Sequence, residues 1–240
     1  MQPPRLIVFS GAGLSADSGI STFRDDDGLW ENHSIDVVAN GYTWRSNFNE
    51  VREFYNDRRV ALADVMPNAA HHQIARWQSE FNTVIMTQNI DDLLERAGCT
   101  DVIHLHGKLT EMQCVACGEV WDIGYAQWGE ADRCRCNSLK GVRPNVVFFN
   151  ENAPLYSKMY KTFRELGRDD CVVVIGTSGQ VINIDSFMYD ATCLKILNNL
   201  ASKQHINESY YDHVLLGKAV DMCDHIDDLV TAYMSRSETV

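Results

Sequence analysis

The chain has 240 residues, of which 45% are hydrophobic, and carries a formal net charge of −12. This length allows one compact unit with a full apolar core. An acidic balance without a basic patch argues against nucleic-acid binding. No apolar run approaches the roughly 20 residues that a membrane-spanning helix needs, and the N-terminus lacks the pattern of a signal peptide. We therefore expect a cytoplasmic protein without a nucleic-acid or membrane partner.

The first predicted element is a strand over residues 6–9, followed by the turn Gly11-Ala12-Gly13 and the start of a helix. Glycines let the backbone approach a pyrophosphate, and the free N–H groups of a helix N-terminus favour its negative charge. The usual third glycine of a dinucleotide-binding turn is missing from this spacing. An ordinary strand-to-helix turn is therefore the alternative.

Three later apolar runs also read as strands, and each ends in a polar or glycine-bearing segment. The runs are residues 84–86, 102–103 and 171–175, and the segments after them begin at Thr87, His104 and Gly176. In parallel α/β sheets, ligands bind at the carboxyl ends of the strands. This pattern predicts an α/β fold with a Rossmann-like parallel sheet and a ligand site at one edge.

Four of the eight cysteines cluster as Cys114-x-x-Cys117 and Cys134-x-Cys136. In a reducing compartment, clustered thiols more often bind metal than form disulfides, and four thiolates suit a structural Zn²⁺. The segment around them is poor in apolar periodicity, so the metal is expected to supply its core. The alternative is unligated surface thiols, and the tight second pair leaves open whether both of its members bind. The scattered cysteines read as buried apolar fillers.

Two insertions interrupt the predicted sheet. Residues 25–64 form a helical insertion that opens with a mobile loop, and residues 111–144 form the zinc-binding insertion. We expect the two to build a small domain over a large one made of residues 1–24, 65–110 and 145–240. A last short strand at residues 214–216 precedes a C-terminal helix with its apolar side chains on one face, as judged by helical spacing.

In chain order the motifs are GAGLSADSGISTFR, TQNID, HG, the paired cysteines, VVFFNE and GTS. Together they resemble the sirtuins, the NAD-dependent protein lysine deacylases, over nearly the whole chain. The resemblance implies that NAD and an acylated-lysine protein or peptide meet in the cleft between the two domains. It implies a reaction in which the acyl-lysine carbonyl oxygen attacks the ribose as nicotinamide leaves. Free lysine and O-acyl-ADP-ribose are the products.

The resemblance also assigns roles to residues. His106 is the implied catalytic base, because it lies beside glycine at a strand end, whereas His104 of the same predicted strand is expected to point to the opposite face. Asn89 and Asp91 orient the nicotinamide amide, and Gln88 contacts the ribose. The remaining cofactor-binding residues are Gly11, Ala12, Gly13, Ser15, Asp17, Phe23, Arg24, Ile90, Gly176, Thr177, Ser178 and Asn198.

One motif bears on the acyl group. Tyr55 and Arg58 are spaced i, i+3 on the helical insertion, and a phenol with a guanidinium binds a carboxylate. Sirtuins that remove succinyl, malonyl or glutaryl groups carry this Tyr-x-x-Arg at this point. Val147 and Phe149 complete the implied acyl-binding set. The alternative is an ordinary exposed helix face. We therefore expect removal of acidic acyl groups, with deacetylation alongside.

Two segments depart from the family pattern. Asn150 stands where a glycine is usual and where the substrate backbone is expected to pair, although asparagine tolerates positive φ. Residues 181–184 replace the usual Val-x-Pro-Ala. These departures keep two alternatives open: an NAD-consuming ADP-ribosyltransferase or NAD hydrolase, and an NAD-binding module without catalysis.

Overall fold

The computed structural model describes residues 3–21, 29–30, 33–138 and 141–238. The strands of this part are β1 (Leu6–Ser10), β2 (Leu29–Trp30), β3 (His33–Ser34), β4 (Thr83–Thr87), β5 (Ile103–His104), β6 (Gly107–Cys114), β7 (Val120–Asp122), β8 (Val142–Val146), β9 (Cys171–Ile175), β10 (Leu194–Asn199) and β11 (His213–Leu216). The α-helices are α1 (Gly13–Ala16), α2 (Ile35–Val38), α3 (Phe48–Ala63), α4 (Ala69–Glu80), α5 (Leu93–Arg96), α6 (Tyr156–Arg164), α7 (Asp185–Met188) and α8 (Ala219–Met234).

Six strands form one parallel sheet in the order β11-β10-β9-β1-β4-β5. All four strands predicted to end in polar segments lie side by side in it. The register aligns Ser10 with Thr87 on one side and with Ile175 on the other. Because the strands run in the same direction, the segments after them lie along one edge of the sheet. The predicted α/β fold with a Rossmann-like core is confirmed.

The sheet is covered on both faces, as a purely parallel sheet requires. Along β1, Leu6 and Val8 pack into one apolar cluster and Ile7 and Phe9 into another. The first cluster includes side chains of α4 and α8, and the second includes side chains of α6 and α7. The period-2 alternation of the strands therefore divides one continuous apolar run between two cores.

A separate antiparallel sheet has the order β7-β6-β8, and β2 pairs with β3 in a two-stranded one. A third apolar cluster joins α2 and α3 to residues of β6 and β8, and it includes Tyr55 and Phe148. Residues 147–149 follow β8 and lie outside the parallel sheet, and Phe149 forms an isolated bridge with Asn40. The predicted two-domain boundaries stay a prediction.

The C-terminal prediction agrees with the structure. β11 contains residues 214–216, and α8 follows directly. Ile226 and Val230 of α8 are buried in the first core, and the predicted Met222, Leu229 and Tyr233 pack against it. Within the residues that the structure describes, no helix is both long and apolar enough to cross a membrane.

Candidate active site

The glycine turn after β1 packs tightly against the loop after β9. The N–H of Gly11 donates to the carbonyl of Ile175 at 2.9 Å, and that of Gly13 donates to the carbonyl of Gly176 at 2.8 Å. Both N–H groups are thus engaged by backbone carbonyls within the protein. A Cβ on Gly13 would lie 2.6 Å from the Cα of Gly176. Close backbone packing is therefore one reason for glycine here.

Gly13→Ala is expected to destabilise the protein by about 2–3 kcal/mol, because the obstructing atoms belong to backbone that cannot rotate away. Urea unfolding measures the change. The matched control is Gly167→Ala, where the nearest atom to the added Cβ is a carboxylate oxygen of Asp170 at 3.9 Å. Equal effects of the two substitutions would contradict the close-packing explanation.

Ser15, Asn89 and Asp91 meet at the edge of the sheet as predicted. The hydroxyl of Ser15 donates to Oδ2 of Asp91 at 2.9 Å and accepts from Nδ2 of Asn89 at 3.1 Å. The N–H of Leu93 donates to Oδ1 of Asp91 at 3.2 Å. Burial raises the pKa of Asp91, which these hydrogen bonds oppose. The carboxyl group is thus fixed in place and keeps lone pairs to accept from an amide.

The sequence reading missed His71, which completes this network. Its Nε2 lies 3.3 Å from the hydroxyl of Ser15, and its Nδ1 accepts from the N–H of Asn68 at 3.2 Å. Since Nδ1 accepts, Nε2 carries the proton and donates to Ser15. Burial lowers the pKa of His71 to about 4, so the ring stays neutral. The available signal was the capping box of α4, in which Asn68 and His71 cap each other's backbone.

Gln88 connects this network to the loop after β9. Its Nε2 donates to the hydroxyl of Thr177 at 2.9 Å, and Thr177 is buried. Ile90 accepts a hydrogen bond through its carbonyl from the N–H of Leu109. Gly176 has a φ of +66°, a conformation that favours glycine. Ser178 follows and is half-buried. The predicted segments 87–91 and 176–178 therefore form one surface.

His106 lies directly after the end of the parallel sheet. Its Nδ1 is 3.0 Å from the carbonyl oxygen of Gln88, and its Nε2 is 2.8 Å from the hydroxyl of Tyr156. A carbonyl oxygen only accepts, so Nδ1 carries the proton and Nε2 presents a lone pair. Burial lowers the pKa of His106, and the hydrogen bond to Gln88 opposes the shift. The ring is therefore neutral and able to take a proton near pH 7.

The expectation that His104 and His106 point to opposite faces of a strand is wrong. Residues two apart in a strand share a face, and β5 ends at His104 without reaching His106. His104 is nevertheless a different kind of residue. Its Nδ1 binds the carbonyl of Asn89 at 3.0 Å, and its Nε2 binds Glu95 at 2.8 Å. Burial tends to raise the pKa of Glu95, but hydrogen bonds from His104 and Lys108 outweigh it and lower that pKa to about 2. Both ring nitrogens of His104 are thus engaged by acceptors.

Two other predicted cofactor residues, Asp17 and Asn198, contact the segment around the end of β11. Asp17 pairs with Lys218 at 3.0 Å, beyond the end of β11. Nδ2 of Asn198 donates to the carbonyls of Leu215 and Gly217, so its amide hydrogens bind the backbone of β11 and of the residue that follows it. Phe23 and Arg24, and most of the predicted mobile loop, lie outside the described residues.

Of the predicted acyl-binding residues, Tyr55 belongs to the third apolar cluster, and Val147 and Phe149 flank Phe148 of the same cluster. The N–H of Val147 donates to the carbonyl of His106 at 2.9 Å. Tyr55 is fully buried, and its ring stacks on Phe148 with centroids 5.7 Å apart. The guanidinium of Arg58 lies 5.6 Å from the ring centroid of Phe54, and Phe149 is exposed. Tyr55 of the Tyr-x-x-Arg motif therefore contacts Phe148, and the neighbouring residue Val147 is hydrogen-bonded to His106.

The four clustered cysteines converge as predicted. All four Sγ atoms lie within 4.8 Å of one another, with Cys114 3.6 Å from Cys136 and Cys117 3.5 Å from Cys134. Four sulfurs each about 2.3 Å from a tetrahedral zinc would be about 3.8 Å apart. The donor set and its spacing fit a structural Zn²⁺ and include both members of the tight second pair. Of the scattered cysteines, Cys99, Cys171 and Cys193 are buried as expected, and Cys223 is only half-buried.

Comparison with known proteins decides the family. A model of the Sir2 family matches residues 11–183. The chain belongs to the Sir2 family. It is 42% identical to an NAD-dependent protein deacylase of Helicobacter hepaticus, covering 88% of this chain and 91% of that protein. It is 40% identical to an NAD-dependent protein deacylase of Campylobacter jejuni, covering 92% and 93%.

Solved structures of the family agree with the fold. A mutant Sir2 homologue in complex with ADP-ribose superposes with a TM-score of 0.83 at 31% identity, covering 96% of this chain and 93% of that one. A Sir2 homologue in complex with NAD gives a TM-score of 0.80 at 30% identity, covering 96% and 90%. The predicted family membership is confirmed.

Within this family fold, Asn150 accounts for one departure from the expected pattern. Its φ is +66°, the left-handed conformation that glycine adopts freely and asparagine tolerates. The chain thus keeps the backbone conformation while adding a side chain, whose Nδ2 lies 3.4 Å from Oδ1 of Asn40. Asn150 therefore keeps the backbone of this loop in a conformation that glycine also adopts.

Proposed function

We propose that the protein is an NAD-dependent protein lysine deacylase that transfers the acyl group of a modified lysine to ADP-ribose. Its cofactors are NAD and Zn²⁺, and its partners are acylated-lysine proteins or peptides. The observation that carries the proposal is the pairing, along one edge of the sheet, of a fixed carboxyl group at Asp91 with a neutral histidine base at His106. Curated relatives named NAD-dependent protein deacylase support it. The cytoplasmic location stays a prediction from the sequence.

The chain's own groups divide the work. Bound NAD supplies an electrophilic ribose carbon and nicotinamide as leaving group. Asp91 would accept from the nicotinamide amide and Asn89 would donate to it, and Ser15 with His71 holds both side chains in place. The lone pair on Nε2 of His106 would take the proton of a ribose hydroxyl and so make that oxygen a nucleophile toward the acyl carbon. The carbonyl of Gln88 accepts from Nδ1 of His106, so it fixes the orientation of the histidine ring relative to segments 87–91 and 176–178.

Product analysis tests the proposal. Purified protein, NAD and an acetyl-lysine peptide are expected to give nicotinamide, free lysine peptide and O-acetyl-ADP-ribose in equal amounts, as followed by mass spectrometry. A solved Sir2 homologue at 31% identity binds 2′-O-acetyl-ADP-ribose. Nicotinamide release with plain ADP-ribose and no deacylated peptide would instead indicate an NAD hydrolase. Transfer of ADP-ribose to protein would indicate an ADP-ribosyltransferase.

The finer proposal is that the enzyme accepts succinyl and malonyl groups besides acetyl. Its support is the Tyr55-x-x-Arg58 pair on α3. The ring of Tyr55 packs on Phe148, next to the residue whose N–H binds the carbonyl of His106. Burial raises the pKa of Tyr55, so its phenol stays a hydrogen-bond donor. A half-buried guanidinium one turn along the same helix supplies the positive charge that an acyl carboxylate needs.

Arg58→Met is expected to lower kcat/KM for a succinyl-lysine peptide about 10- to 100-fold, because a charge-assisted hydrogen bond to the acyl carboxylate is lost. Removal of acetyl from the matched peptide should change by less than about twofold, since acetyl has no carboxylate. The control variant is Arg52→Met on the same helix, whose guanidinium binds Glu130 at 3.1 Å. An equal loss for both peptides would show that Arg58 does not select acidic acyl groups.

A further inference from the structure

The lone pair of His106 that the proposed mechanism uses is already engaged within the protein. The hydroxyl of Tyr156 lies 2.8 Å from Nε2, and the two ring centroids are 5.9 Å apart. Because the carbonyl of Gln88 fixes the proton on Nδ1, Nε2 can only accept. Tyr156 is therefore the donor in this contact. The motif reading did not single out this tyrosine.

The position of Tyr156 follows from the start of α6. Its N–H donates to the carbonyl of Ala153 at 3.1 Å, which closes the first turn. Its ring packs against the core that contains Met159 and Phe163 of the same helix. Behind it stands the ring of Tyr160, with centroids 6.4 Å apart in an edge-to-face arrangement. The phenol is thus held at the site by the helix and not by an extended loop.

The phenol keeps its donor role over the working pH range. Burial raises the pKa of Tyr156 to about 12, with a smaller contribution from Tyr160. A hydroxyl that donates to Nε2 stabilises the neutral imidazole and opposes protonation of that nitrogen. In the described residues, the groups that act on His106 are the Gln88 carbonyl from the loop after β4 and Tyr156 from α6, with Tyr160 behind it.

We propose that Tyr156 is a positioning residue that caps Nε2 of His106 in the cofactor-free enzyme, holds the ring as a neutral base and yields its place to the ribose hydroxyl. The proposal rests on the proposed role of His106. In the free protein the cap excludes a proton from Nε2. When substrate is bound, the ribose hydroxyl occupies the same lone pair and donates its proton there. Tyr156 itself gains and loses no proton.

Tyr156→Phe tests this, because it removes the hydroxyl and keeps the ring that packs against the core. Histidine side-chain NMR of the free protein is expected to show the pKa of His106 raised by about half a pH unit or more, the equivalent of one lost neutral hydrogen bond. The matched control is Tyr160→Phe, one turn along the same helix, which should leave that titration unchanged. An identical His106 titration in wild type and Tyr156→Phe would overturn the proposal.

The pH dependence of kcat/KM gives the second readout. The acid limb of the Tyr156→Phe profile is expected to move to higher pH by the same amount. The loss of kcat/KM relative to wild type is therefore largest at acidic pH and becomes smaller at alkaline pH. A deficit of equal size at every pH would indicate a structural role only and would also overturn the proposal. If the wild type makes no O-acyl-ADP-ribose, the proposed function fails, and the NMR titration still decides whether Tyr156 caps His106.

Discussion

His106→Ala is expected to lower the rate of O-acyl-ADP-ribose formation about a thousandfold, within the range of 10² to 10⁴ that a positioned general base contributes. The reason is that, in the part of the chain that the structure describes, His106 is the base proposed to take the ribose proton, and alanine cannot accept it. The measurement is initial-rate product formation by mass spectrometry with an acetyl-lysine peptide. His225→Ala, an exposed histidine on α8, is the matched control and should retain full activity.

His106→Ala also distinguishes two steps of the proposed reaction, the release of nicotinamide and the transfer of the acyl group. In the proposed reaction the bond between ribose and nicotinamide breaks before the base acts, so exchange of labelled nicotinamide into NAD should survive far better than deacylation. Thermal melting must accompany the assay, because His106 is partly buried and alanine leaves space at the site. Retention of more than about a tenth of wild-type deacylation by a folded His106→Ala protein would disprove its role as the base.

Loss of the zinc is expected to have the largest effect on stability. Cys117→Ser, or metal removal by a chelator, should cost roughly 5 kcal/mol or more, because metal binding and folding are coupled in small cysteine-rich segments. The apolar cluster around the site contains few large side chains, among them Met112, Trp128 and Val142. It cannot replace the metal as a core. Calorimetry and zinc content measure the change.

Cys223→Ser is the control for this prediction, since its half-buried thiol donates to the carbonyl of Val220 away from the four-cysteine cluster. It should change neither the melting temperature nor the zinc content. Unchanged melting of the Cys117→Ser protein, with zinc still bound in equal amount, would contradict a structural site.

The antiparallel sheet β7-β6-β8, which carries Cys114, adjoins the candidate active site, so activity should fall when the metal is removed. β6 begins at Gly107, directly after His106, and pairs there with Val146 of β8. The next residue, Val147, donates its N–H to the carbonyl of His106. Unfolding of β6 and β8 therefore releases the backbone on which the base is held. Deacylation should be lost in proportion to the zinc removed.

Local pattern alone predicted most of the parallel sheet. Each strand of its centre is a short apolar run that ends in polar or glycine residues, and burial on both faces is what such a run requires. Local pattern did not indicate the antiparallel pairing of β8 with β6. An apolar run does not specify its partner strand, and here β8 pairs with β6 because the chain between them is closed by the cysteine cluster.

The sequence by itself determined the chemistry available at the site: the carboxyl group of Asp91, the imidazole of His106 and the four thiols are fixed by residue type and motif order. Only the tertiary structure decided how they are used. His71 and Tyr156 reach Ser15 and His106 from α4 and α6, which lie 56 and 50 residues away along the chain. No local periodicity encodes such contacts. They exist because helices packed on a parallel sheet bring distant side chains to one edge.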